Sequence, residues 1–283
     1  MAEYGNLQRV IYHYEYFQTR HTMSSSISLT DEYLNKCEGI IQIVRNQKND
    51  IQKAAQWFAE TILAGRMVHV FGSGHSRIMV EEMWPRYGSF PGFNPIVELS
   101  LTNHNSVVGA NGQRQAMFLE NVPGLAERIL RNFALSENDC ALVISSSGCN
   151  IVPIEIAELF QQKKVKTVAL VTTAHLEKSK SKRADGKKLS DFADIILDSG
   201  APVGDSMIYI DGLETPVSPG STVGGVMIVN SIKAELAKLL TAAGQPPKVL
   251  TAGAVVGDEK AKQLFEAAYD EHAHRLAELY KGL

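Results

Sequence analysis

The sequence predicts an α/β fold, a doubly wound five-stranded parallel sheet with helices on both faces, and three observations carry that expectation. Five short apolar runs read as buried strands, longer segments between them space their apolar residues at helical intervals, and two of the runs stop abruptly in Gly/Ser turns. Strands alternating with helices call for a parallel sheet covered on both sides. At 283 residues, with 45% hydrophobic residues, the chain is long enough to bury such a core.

The elements follow in order. Residues 1–28, where Tyr4, Tyr12, Tyr14, Tyr16 and Phe17 crowd without a helical period, read as a poorly ordered N-terminal extension, and residues 29–283 as one domain. From Asp31 to Ala64, the residues Leu34, Ile41, Val44, Ile51, Ala55, Phe58 and Ile62 mark one or two amphipathic helices, with Thr30 or Asp31 placed to cap and Gly65 to end them. Met67 to Phe71 is the first strand. The turn Gly72, Ser73, Gly74, His75, Ser76 leads it into a helix from about Arg77 to Tyr87. Pro91 and Pro95 punctuate a loop before a second strand, Ile96 to Leu99.

Ser100 to Gln115 is a polar loop rich in Asn and Gly, long enough to suggest a functional role. A helix from about Pro123 to Phe133 follows. The third strand runs into ALVISSSGCN, Ala141 to Asn150, and a helix from Ile151 to Lys163 starts where that stretch ends. Thr167 to Thr172 and Asp194 to Leu197 are the last two strands. The basic stretch between them, KSKSKRADGKK, reads as a solvated loop or helix end. Ser206 to Ile210 and the segment around Val217 suggest an added hairpin. Ser221 to Leu240 reads as a buried helix and Asp258 to Tyr280 as a long amphipathic one.

Composition narrows the function classes. A formal charge of -3 gives no sign of a nucleic-acid partner. No run approaches the roughly 18 apolar residues that cross a bilayer, and no signal-peptide pattern opens the chain. A cytoplasmic protein without a membrane partner is the expectation. Cys37, Cys140 and Cys149 have no metal-like spacing, so no metal site and no disulfide framework is expected. Cys149 lies in the serine loop and reads as a small residue tolerated in a turn.

The chemistry concentrates in the two Gly/Ser turns. Backbone N–H groups at a helix N-terminus carry partial positive charge, and small hydroxyl side chains add donors without blocking a bulky anion. In a doubly wound sheet such turns lie at the carboxyl edge of the strands. FGSGHSR partly imitates a dinucleotide fingerprint, with Glu98 in place of the ribose-binding acid, but Arg77 stands where the third glycine belongs. A phosphorylated small molecule held by both turns uses both. No cofactor is expected.

The pair FGSGHS and ISSSGCN resembles the phosphosugar loops of the sugar isomerase, or SIS, domain family. SGHSRIMVEEMWPRYG, VPIEIAEL, DGKKLSDFADIILD and GSTVGGVMIVNSI are similar to a bacterial branch of phosphosugar-binding, phosphoheptose-isomerase-like proteins, and the likeness extends from about Leu29 to Gly282. The resemblance implies phosphate contacts from Ser73 and from Ser145, Ser147 and Asn150, with Gly72, Gly74, His75, Ser76, Ser146 and Gly148 completing the binding loops. It also implies a homodimer or higher homo-oligomer with a shared site.

The activity it implies is aldose–ketose isomerisation of a sugar phosphate, which needs a base to move a proton and donors to steady the enediolate. Candidate groups are Glu81, Glu82, His75, His104, Glu120, His272 and His274. EEMWPRY looks similar to the acidic segment of phosphoheptose isomerases and selects Glu82, while His104 sits between Asn103 and Asn105 as a plausible base. Glu82→Gln is expected to abolish turnover and spare phosphate affinity. Sugar-phosphate etherase chemistry and a non-catalytic phosphosugar sensor are the alternatives.

Overall fold

A computed structural model of the chain describes residues 27–103 and 109–281. The expected N-terminal extension lies outside them except for its last two residues, and so does His104.

Two helices, α1 (Leu29–Asn46) and α2 (Lys48–Leu63), precede the sheet. Ser28 caps α1 by accepting from the Asp31 N–H. Strand β1 (Val68–Gly72) leads through a 3₁₀ turn, Gly74–Ser76, into α3 (Arg77–Met83). This helix stops a turn earlier than the sequence suggested. Pro85 disfavours a helical residue before it, and Trp84 is extended at φ -168°, ψ 145°.

Strand β2 spans Phe93–Ile96, three residues earlier than expected. It lies at one edge of the sheet, where the missing N–H of Pro95 costs no ladder bond. The described parts of the polar loop, residues 100–103 and 109–115, carry regular structure that its composition did not suggest. The loop holds 3₁₀ turns at Leu99–Leu101 and Gly109–Asn111, and helix α4 (Gln113–Leu119) begins within it. Only Ala116 of α4 is buried, so the helix left no apolar period to read.

The rest follows in sequence: α5 (Leu125–Leu130), β3 (Cys140–Ile144), α6 (Ile151–Gln162), β4 (Lys166–Val171), the short α7 (Thr173–Lys178) and β5 (Ile195–Asp198). The expected hairpin is β6 (Ser206–Ile208) with β7 (Val217–Pro219), paired antiparallel. Helices α8 (Ser221–Ala242), α9 (Gly253–Val256) and α10 (Asp258–Leu279) complete the chain.

The five strands are parallel in the order β2-β1-β3-β4-β5. Alternation along each strand divides the core. Cys140, Leu142 and Ile144 join Val68, Val70 and Leu197 under α1, α2, α3 and α8. Ala141, Val143 and Phe71 join the opposite face, under α5 and α6. The strand order reverses between β1 and β3, so the two Gly/Ser turns leave adjacent strands on either side of the switch point, where doubly wound sheets open a crevice. No described helix is long and apolar enough to cross a membrane.

Candidate active site

Each of β1, β3, β4 and β5 is followed at once by a hydroxyl residue: Ser73, Ser145, Thr172 and Ser199. Parallel strands place all four at one edge of the sheet. The turn after β1 is tight enough to require glycine at its first position, since a Cβ on Gly72 would meet the Ser76 carbonyl oxygen at 2.6 Å. The Ser76 N–H donates to the Ser73 carbonyl at 3.0 Å and closes the turn.

The serine loop after β3 is braced by its own side chains. The Gly148 N–H donates to the Ser145 carbonyl at 3.1 Å and to Ser145 Oγ at 3.3 Å, and the Cys149 N–H donates to Ser147 Oγ at 3.3 Å. Gly148 adopts φ +60°, and a Cβ there would strike Leu176 Cδ1 at 2.3 Å. Because Ser145 and Ser147 accept from backbone N–H groups, their own protons stay available to a ligand. Ser76 has no hydrogen-bond partner for its hydroxyl among the described residues.

The basic stretch after α7 packs against this loop and is not simply solvated. Lys182 N–H donates to the Cys149 carbonyl at 2.9 Å and Leu189 N–H to the Gly148 carbonyl at 2.8 Å. Arg183 is pinned between Glu158 at 2.6 Å and Asp185 at 2.8 Å.

Glu120 joins the two loops. Ser73 Oγ donates to Glu120 Oε2 at 2.7 Å, and Asn150 Nδ2 donates to Glu120 Oε1 at 2.8 Å. The Glu120 carbonyl meanwhile accepts from the Val152 N–H at 2.9 Å in the first turn of α6. One residue is thus held by a donor from each turn and by a helix N-terminus. Burial raises its carboxyl above the ordinary carboxylate range, and the Ser73 hydrogen bond offsets this only in part. A half-buried carboxyl that is more basic than usual, held between a serine hydroxyl and an asparagine amide, is equipped to take and return a proton beside a bound anion.

The SIS domain model matches residues 32–172, a span that contains both loops and Glu120. A UPF0309 protein of Halalkalibacterium halodurans is 30% identical over 246 residues, covering 87% of this chain and 96% of that protein. The chain belongs to the UPF0309 family of SIS-domain proteins. A second UPF0309 protein, from Thermoanaerobacter pseudethanolicus, is 31% identical over 255 residues, covering 88% of this chain and 96% of that one. Among solved structures, a phosphoheptose isomerase from Francisella tularensis aligns at 17% identity with a TM-score of 0.44, over 75% of this chain and 100% of that one.

Within this SIS domain the other sequence candidates separate. Ser73 and Asn150, which the resemblance assigned to phosphate, spend their hydrogen bonds on Glu120. His75 is exposed, and its Nδ1 lies 2.8 Å from Asn103 Nδ2 in the polar loop. Glu82 is drawn away from the loops. It pairs with Arg86 one turn on and accepts from Asn230 Nδ2 of α8 at 2.8 Å, while Lys233 Nζ donates to its carbonyl at 2.7 Å. Burial works to raise the Glu82 carboxyl, but the hydrogen bonds from Asn230 and Arg86 and the charges of Arg86 and Lys233 prevail and hold it below the ordinary range.

Glu81 pairs with Arg77 at 3.2 Å. Arg77 itself is buried and donates to Thr102 Oγ1 at 2.8 Å, which ties α3 to the polar loop. Glu98, the imitation ribose acid, accepts from the N–H and Oγ of Ser100 and caps a 3₁₀ turn. The His272 ring packs at a tilt of 42° against Trp84, centroids 5.2 Å apart, and burial lowers its basicity, whereas His274 is exposed and bonds within its own helix. Neither histidine bonds to a loop residue. Among the described residues no group of three or more His, Cys, Asp or Glu side chains converges as a metal site.

The residues that sequence reasoning missed are Thr172 and Ser199. Ser146 Oγ lies 3.0 Å from Thr172 Oγ1, which lies 2.7 Å from Ser199 Oγ. Their signal was positional, a hydroxyl at the carboxyl end of a buried strand, the same signal that marked Ser73 and Ser145.

Proposed function

We propose that this SIS domain binds a phosphorylated sugar in the two-loop cup and moves a proton between its first two carbons. The reaction class is aldose–ketose isomerisation through an open-chain enediolate. The observation that carries the reading is Glu120, a carboxyl of raised basicity bridging Ser73 and Asn150 from the two turns.

In this reading the hydroxyls of Ser76, Ser145, Ser146 and Ser147 donate to the phosphate, and Glu120 is the base. The carboxylate takes the proton from one carbon, pushing the electron pair toward the neighbouring carbonyl. The protonated carboxyl then returns the proton to the adjacent carbon. Ser73 and Asn150 fix the direction from which Glu120 approaches. Glu82, held by Arg86 and Asn230, serves the packing of α3 on α8. His104, flanked by Asn103 and Asn105 in sequence, stays a candidate for the second proton, the one that moves between the sugar's oxygens.

The reading includes self-association as a homodimer. Phe118, Met117 and Leu99 are 72%, 52% and 60% exposed on the segments that carry Glu120 and flank the cup, an apolar surface suited to a second copy. The test is a thermal-shift screen of sugar phosphates, followed by NMR in D₂O for exchange of the C1 or C2 proton. Binding with exchange supports isomerisation, binding without exchange points to a sensor, and no binding to any sugar phosphate overturns the reading.

A further inference from the structure

Behind the serine loop, Ser146 heads a file of three hydroxyls whose two inner members, Thr172 and Ser199, take no part in the chemistry proposed for the cup. Ser146 Oγ, Thr172 Oγ1 and Ser199 Oγ are joined by contacts of 3.0 and 2.7 Å. Thr172 is fully buried and Ser199 is 1% exposed, whereas Ser146 is half-buried at the cup. The backbone fixes the same three residues, since Thr172 N–H donates to the Ser146 carbonyl at 2.9 Å and Ser199 N–H to the Val171 carbonyl at 2.7 Å. The position of Ser199 is set from further back. The side chain of Gln47, between α1 and α2, donates to the Asp198 carbonyl at 2.8 Å and accepts from the Asp198 N–H at 2.6 Å.

Three hydroxyls share two hydrogen bonds, so one proton is left over, either at an end of the file or, where both ends donate to Thr172, on Thr172 itself, which is buried and has no other acceptor among the described residues. If the bonds ran inward, from Ser146 to Thr172 to Ser199, the spare proton would sit on Ser199. That hydroxyl has no acceptor other than Thr172 among the described residues, and a buried donor without an acceptor is costly. If they run outward, Ser199 donates to Thr172, Thr172 donates to Ser146, and the spare proton sits on Ser146 at the cup. The outward direction leaves no buried donor orphaned. An anion accepting from Ser146 reinforces it, because each bond in a hydrogen-bonded chain polarises the next.

We propose that Thr172 is a positioning residue for the anion cup: backed by Ser199, its hydroxyl turns the Ser146 proton outward so that Ser146 donates to a bound phosphate. The inference rests on the reading of the cup as a phosphate site and extends it to two residues of β4 and β5 that touch no ligand. It makes phosphate affinity depend on a hydroxyl one layer behind the donors.

Isothermal titration of the full chain with inorganic phosphate tests it. Thr172→Val, which keeps the shape and removes the hydroxyl, is expected to weaken phosphate binding about tenfold, and Thr172→Ser to restore it to within about threefold of wild type. Ser199→Ala is expected to weaken binding in the same direction but by less. In a Ser146→Ala background, Thr172→Val is expected to cost nothing further, since its effect runs through Ser146.

Equal affinity of Thr172→Val and wild type overturns the proposal. So does a Thr172→Ser variant as weak as Thr172→Val, or an added loss on top of Ser146→Ala. Should Thr172→Val fail to fold, judged by its melting temperature, Ser199→Ala decides, and unchanged affinity there overturns the proposal as well. Wild type that binds neither inorganic phosphate nor any sugar phosphate overturns the reading of the cup, and this inference with it.

Discussion

Glu120 carries opposing demands, because the environment that makes its carboxyl more basic also makes its ionised form expensive to bury. Three measurements follow from this residue. Glu120→Gln keeps the shape and both hydrogen-bond partners but cannot take a proton, so turnover should fall by at least about a hundredfold. Phosphate affinity, measured by calorimetry, should stay within a few-fold of wild type. The same substitution should stabilise the fold near neutral pH. A carboxyl whose folded value is raised favours folding below its unfolded value, near 4.5, and that contribution is lost as pH rises through the folded value. The melting temperature of Glu120→Gln should therefore exceed that of wild type at pH 7 to 8, and the gap should close as pH falls toward 4. A gap that widens on acidification would contradict the assignment. Ser73 lies 47 positions from Glu120 and Asn150 lies 30, so no local spacing announces their meeting.

At the scale of elements, the cup depends on two turns with no spare room. A Cβ on Gly72 would lie 2.6 Å from a backbone oxygen that cannot swing aside. Gly72→Ala should cost about 1 to 3 kcal/mol in urea unfolding and weaken phosphate binding with it, because the turn must open to accept the methyl group. Gly148→Ala adds a positive φ to a clash with the Leu176 side chain, which is flexible and can yield. Its cost should be smaller, about 1 to 2 kcal/mol, and borne mainly by the left-handed backbone. Both turns were legible in the sequence because an apolar run closed by glycine and serine has few other readings. Helix α4 was not, since a helix that buries only Ala116 presents no periodic face. The ends of α3 and β2 were misjudged around prolines. Pro85 stopped a helix that the apolar spacing seemed to continue, and Pro95 stayed inside a strand because that strand is an edge.

At the scale of the whole molecule, the cup and the principal polar anchor of the core lie at opposite ends of the strands. At the amino ends of β1 and β3, Asp139 accepts from Arg66 at 2.7 and 2.9 Å and lies 3.2 Å from His69 Nε2, while Asn94 of β2 meets the other His69 nitrogen at 3.0 Å. Burial works to raise the Asp139 carboxyl, but hydrogen bonds from His69 and Arg66 overcome it and hold the group below the ordinary range. Asp139→Ala strips the partner from a buried network and should cost about 3 kcal/mol or more in chemical denaturation. The stabilisation that wild type draws from Asp139 is present above the unfolded value near 3.8 and is lost as pH falls through the lower folded value. The difference between wild type and Asp139→Ala should therefore shrink on acidification because wild type loses stability relative to the variant, whereas at Glu120 the gap closes because wild type gains it. A pH-independent difference would remove the ionised carboxylate from the account. Separating anchor from cup lets the serine-loop edge keep its hydroxyl protons for a ligand while stability is supplied elsewhere.

The sequence by itself determined the strands, the parallel α/β class and the two turns, because continuous apolar runs can only be buried and Gly/Ser closures can only turn. It also determined the family, through the motifs in those turns. Tertiary structure alone decided which donors remain for a ligand. Ser73 and Asn150 look like phosphate contacts in sequence, yet in space they hold Glu120, while Thr172 and Ser199, unremarkable in sequence, stand behind Ser146. The reason is physical: a hydroxyl or amide has few hydrogen bonds to give, and only the packing of distant strands decides which partner takes them first.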